Sequence, residues 1–160
     1  MTGQTGGTIQ FGHIGITNYN NAAGTAVSLA GSAAGTVTFA DLDIATTAGA
    51  GLSVGANTFG FAPGSSSTIS AHGASAVVMN GTTLSGGTAT FASVSATTTG
   101  GVAGISLTNT VGTTAFTTVN INGTGAASGI VLNKAGTTNI LGGNDQRHFG
   151  RRHQQPQYPR

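Results

Sequence analysis

A chain of 160 residues with no cysteine and only 5% charged residues suits one domain or one short repeat array. It excludes a disulfide framework, a thiolate metal site and a thiol nucleophile. The formal net charge of +2 is unevenly placed: residues 1–143 carry Lys134 against Asp41 and Asp43, whereas 144–160 carry Arg147, Arg151, Arg152 and Arg160 against Asp145. The body therefore lacks the basic stripe that binding to a phosphate backbone requires, and nucleic acid is not expected as a partner.

Leu, Ile, Val and Phe total 33 of 160 residues, close to the roughly 20% below which highly charged chains stay open. Charge is nearly absent here, and Gly, Ala, Ser and Thr dominate, so the chain lacks the self-repulsion that keeps apolar-poor sequences expanded. It folds only if its few apolar residues are placed economically. No basic-then-apolar leader opens the sequence, and no run of about 18 apolar residues occurs, so neither an export signal nor a membrane span is expected.

In chain order, a first unit opens on Gly7-Thr8, reaches Phe11, continues through Ile14 and Ile16 and closes on Ala26-Val27-Ser28-Leu29. The second repeats it with GTVTF at 35–39, Leu42 and Ile44, then Gly51-Leu52-Ser53-Val54. A third is degenerate: Phe59 and Phe61 stand in for the missing phenylalanine, STIS around Ile69 for the aliphatic pair, and Ala76-Val77-Val78-Met79 closes it. The fourth returns to form with GTATF at 87–91, Val94 and Ala96, and Gly104-Ile105-Ser106-Leu107. The fifth carries GTTAF at 112–116, Val119 and Ile121, and Gly129-Ile130-Val131-Leu132; Gly136-Thr137 and Ile140 begin a sixth. The Gly-Thr elements recur at intervals of 28, 52, 25 and 24 residues, and the closing elements at 25, 25, 28 and 25. With 52 read as two periods, the unit is about 25 residues holding three alternating strands of four or five residues.

Such a unit cannot bury its own apolar face, so equivalent strands stack one period apart and run parallel. At roughly 3.3 Å per extended residue the coil perimeter is near 80 Å before turns. The expected fold is all-β, a single-stranded right-handed parallel β-helix of about six coils over residues 1–143. Alternation turns Val37, Phe39, Leu42 and Ile44 inward and Thr36, Thr38, Asp41 and Asp43 outward, and stacking makes an interior column of Phe11, Phe39, Phe91 and Phe116. Periodicity stops at NDQRHFGRRHQQPQYPR, so 144–160 is expected to be a disordered or foreign tail.

The units GISLTNTVGTTAFTTVNINGTGAASGIVLNKAGTTNI and GTVTFADLDIATTAGAGLSV resemble the strand repeats of long secreted bacterial surface proteins, autotransporter-like adhesins of the pectin-lyase-like β-helix superfamily. That resemblance spans about residues 8–141. It implies an exported fragment of a longer solenoid at the cell surface, flanked by further coils. It also implies a non-catalytic structural or adhesive role, with host or environmental glycans or surface proteins as partners.

A β-helix can also be a polysaccharide lyase or hydrolase, whose chemistry uses clustered carboxylates. Asp41 and Asp43 are the only acidic residues of the body and share an outward face, which makes them the candidate metal ligands, although calcium takes six to eight oxygens. Solvated surface aspartates are the plainer reading. His13 lies one coil before Asp41 and should stack within reach of it, whereas Ser93 and Thr118 take the matching place in later coils. Without a second base or an oxyanion donor set, no catalytic residue and no cofactor is assigned. His72, alone in SAHGAS, reads as a turn residue. Outward pairs such as Thr36/Thr38 and Thr88/Thr90 resemble the threonine arrays of ice-binding β-helices, and Thr is in any case favoured on strand surfaces. Asn80-Gly81 and Asn122-Gly123 read as turns rather than glycosylation acceptors. The glycine-led segments precede strands, not helices, so they are not phosphate loops.

Overall fold

A computed structural model describes residues 6–30, 35–123 and 128–145. All eleven strands belong to one sheet system: β1 (Thr8–Leu29), β2 (Thr36–Val54), β3 (Thr58–Phe61), β4 (Thr68–Gly73), β5 (Val77–Asn80), β6 (Thr83–Thr98), β7 (Ile105–Thr108), β8 (Val111–Gly123), β9 (Ile130–Asn133), β10 (Thr137–Ile140) and β11 (Gly143–Asp145). Every pairing is parallel, and the described residues contain no helix. The chain is a parallel β-solenoid of about five turns. Pairing at β11 continues to Asp145, two residues past the point where periodicity fades; the remainder of the expected tail, 146–160, lies outside the described residues.

Several strands are longer than the four or five residues that alternation predicts. β1 runs for 22 residues and β2 for 19, because ladder bonding continues around the coil corners, which are register irregularities rather than breaks. The recurrent glycine before each Gly-Thr strand has a backbone reason at Gly112. Its φ is +110°, and a side-chain Cβ there would lie 2.8 Å from the carbonyl oxygen of Gly87 in the coil below.

The core is the stack of inward columns. Leu52, Val77 and Ile105 are register mates one coil apart, as are Val54, Met79 and Leu107, and all six are buried. Phenylalanines form a continuous file: Phe11 stacks on Phe39 at 5.0 Å and Phe91 on Phe116 at 5.3 Å. Phe59 and Phe61 bridge the two pairs through tilted and edge-on contacts of 6.1, 5.1 and 5.0 Å. The degenerate coil thus supplies two rings where its neighbours supply one.

Register corrects two expectations. The 52-residue interval is not two equal periods: Thr36 pairs with Thr58, then Thr58 with Thr83, and Thr88 is the next residue to align with Thr113. Ten positions separate Thr58 from Thr68 and Thr83 from Ser93, where seven separate Thr36 from Asp43 and Val111 from Thr118. Three extra residues therefore bulge from each of two adjacent coils. As a result Ser93 and Thr118 fall in the column of Asp43, through Thr68, rather than in that of Asp41, and Ser95 stacks through Ser70 on Ala45. Aligning the sequences on their phenylalanines misses this two-residue slip, since the third coil contains no Phe-Ala-x-apolar copy to reveal it.

Candidate functional site

His13, Asp41 and Asp43 meet on the outer face of coils one and two. Strand alternation turns all three outward, and the β1–β2 register pairs His13 with Asp41 and Gly15 with Asp43. The stacking of His13 on Asp41 is as the sequence predicts; the approach to Asp43 is not legible there, because it requires the imidazole to lean across Gly15, which has no side chain. His13 Nδ1 lies 3.6 Å from Asp41 Oδ2, and Nε2 lies 3.7 Å from Asp43 Oδ2. Both distances exceed a hydrogen bond.

Asp43 keeps a side chain that is 38% exposed, in keeping with the plainer reading of solvated aspartates, but the next coil supplies hydrogen bonds to both carboxylates. Asp41, only 20% exposed at its side chain, accepts hydrogen bonds at Oδ1 from Ser67 Oγ (2.9 Å), Ser65 Oγ (3.1 Å) and the Leu42 N–H (3.1 Å). Its Oδ2 accepts from Ser66 Oγ (3.1 Å). Asp43 Oδ1 accepts from the Thr68 N–H (3.0 Å) and Thr68 Oγ1 (2.6 Å). Burial alone would raise the Asp41 pKa, but the hydroxyls of Ser67, Ser66 and Ser65 and the Leu42 N–H outweigh it and hold the carboxyl below its ordinary value. The group is ionised at neutral pH. The serines escape sequence analysis because a Ser-Ser-Ser run beside Pro-Gly reads as generic loop; only stacking shows what they face.

His72 belongs to strand β4 rather than to a turn, is exposed, and its N–H donates to Thr46 Oγ1 (3.1 Å), apart from this cluster. Gly81 has φ +70°, as the turn reading of Asn80-Gly81 expects, and the neighbouring Thr82 hydroxyl is buried against the carbonyls of Val54 and Gly55. Thr8, Thr36, Thr58 and Thr83 form one outward threonine file, so the third coil does contribute to it; the neighbouring file of Gln10 and Thr38 stops at Gly60.

A groove of about 740 Å³ runs beside the two three-residue bulges and is lined by residues of the first four coils. Its walls include Gln10, Thr38, Ser85, Thr88 and Thr90, with the half-buried Phe61 ring at its base, and no charged side chain lines it. Ser65 belongs to the groove and also donates to Asp41, so groove and cluster adjoin.

No protein-family model matches the chain, and comparison with curated proteins and with solved structures returned no match.

Proposed function

We propose that this chain is a non-catalytic, adhesive β-solenoid segment of an exported bacterial surface protein, and that it takes a neutral glycan in the groove beside its two bulges. The groove carries the reading. It combines the rings of Phe11, Phe39 and Phe61 with hydroxyl and amide groups and no charge, which is the chemistry that recognises a polyhydroxylated uncharged ligand. It is built on stacked, hydrogen-bonded coils, a support that keeps such groups in place without a conformational change. Surface location and bacterial origin rest on the likeness of the repeats to those of secreted adhesins.

The alternative is a carbohydrate-active enzyme centred on Asp41 and Asp43. The two are separated by a glycan panel assayed for both retention and cleavage. Retention of neutral oligosaccharides without turnover, abolished by Thr88→Trp with the melting temperature unchanged, is the expected result. Cleavage that disappears in Asp41→Asn would replace this reading with the enzymatic one.

A further inference from the structure

We propose that His13, Asp41 and Asp43 form a binding site for a divalent transition ion of the zinc class. One donor atom from each residue lies within 4.8 Å of the others, and the two carboxylate oxygens that face the imidazole are Asp41 Oδ2 and Asp43 Oδ2. One ion takes only one imidazole nitrogen: with tetrahedral zinc donors about 3.3 Å apart, either nitrogen already lies close to one such edge, 3.6 Å from Asp41 or 3.7 Å from Asp43, while the other carboxylate has up to about 1.5 Å to close from within 4.8 Å.

The outer shell is already in place. Oδ1 of Asp41 is engaged by Ser65 and Ser67, and Oδ1 of Asp43 by Thr68, which orients Oδ2 of each toward His13; Asp41 Oδ2 also accepts from Ser66 Oγ and would offer an ion its second lone pair. Gly15 supplies a separate observation. It stands beside the imidazole in the column of Asp43, and a Cβ added there would lie 3.5 Å from His13 Nε2. Its φ is not in the left-handed region, so the backbone has no need of glycine at this point. What the missing side chain leaves is an open niche beside the imidazole, with no other atom within 4 Å of that position. An imidazole with two carboxylates suits zinc and its neighbours, whereas calcium, with its need for six to eight oxygens, is poorly served. His13 is 61% exposed at its side chain, which leaves the ion's outward side to water. The inference does not depend on the glycan reading.

The test is calorimetric titration of the full, chelator-stripped chain with zinc chloride, and in parallel with calcium chloride. One zinc per chain is expected, with at least about tenfold weaker binding in His13→Ala and in Ser67→Ala, where an orienting hydrogen bond is lost. Gly15→Val fills the niche while leaving all three donors intact, and should weaken zinc binding without changing the far-ultraviolet circular dichroism. The melting temperature should rise with zinc in the wild type and stay fixed in His13→Ala. Absence of saturable zinc binding, a preference for calcium, or wild-type zinc affinity in both His13→Ala and Gly15→Val would each overturn the proposal. The last of these would move the ion to other imidazoles, such as His148 and His153.

Discussion

Thr114 shows how far residue identity can depart from its column without breaking it. It occupies the inward place that Ala89 holds one coil earlier and is fully buried, yet its hydroxyl has no hydrogen-bond partner, nor does that of its register mate Thr138. A buried, unpaired hydroxyl costs on the order of 1–3 kcal/mol, and Val has the same shape without it. Thr114→Val should therefore raise stability by about 1 kcal/mol, read as a higher urea midpoint at unchanged slope. Two other buried threonines are satisfied: Thr46 Oγ1 donates to the Gly49 carbonyl, and Thr82 Oγ1 to carbonyls of the previous coil; the buried Thr110 hydroxyl, like that of Thr114, has no partner. Thr46 and Thr82 each have a carbonyl within reach at a coil corner, and Thr114, within strand β8, has none.

At the scale of the element, the phenylalanine file is the strongest packing unit. Phe116 is completely buried and stacks on Phe91 with an interplanar angle of 18°. Removing the ring should cost about 3–5 kcal/mol, from lost burial and from the cavity left between coils. Chemical denaturation of Phe116→Ala measures it, and a loss under 1 kcal/mol would contradict the packing described. The file was legible because strand alternation places Phe at the same phase in each Gly-Thr strand. Its continuity through the third coil was legible only in outline. Phe59 and Phe61 were recognisable as substitutes, but the edge-on arrangement follows from a register that no local pattern specifies. The same holds for the cluster: His13 over Asp41 follows from counting one period, while Ser65, Ser66, Ser67 and Thr68 reach their carboxylates only because the third coil is three residues longer.

Over the whole molecule, burial depends on having a neighbour above and below. Met79 and Leu107 are fully buried, yet their column mate Leu132 in the last described coil is 50% exposed. Ile140, which continues the file of Phe116, is likewise exposed. Stability in such an array is close to a sum of nearest-neighbour terms, so it should fall toward this coil rather than be uniform. Hydrogen exchange read by mass spectrometry should show amides of β9 and β10 exchanging well before those of β5 and β7; equal protection throughout would refute the gradient. The overall solenoid was the most legible level of all, because each coil restates the same inward columns and the errors of a single weak copy are outvoted by the others.

The paired bulges have one more implication, for how such a surface can change over time. The insert after Phe61 and the insert at Ser85–Gly87 lie on stacked coils and have the same length, so the ladders rejoin in phase on the far side, at Thr68 and Ser93. Each insert also faces a coil that has none, and the ladders there rejoin in phase as well, at Asp43 with Thr68 and at Ser93 with Thr118. Gaining or losing an insert in one copy therefore leaves the inward columns undisturbed. A solenoid of this kind can acquire or erase a recess one copy at a time, without matched changes in its neighbours.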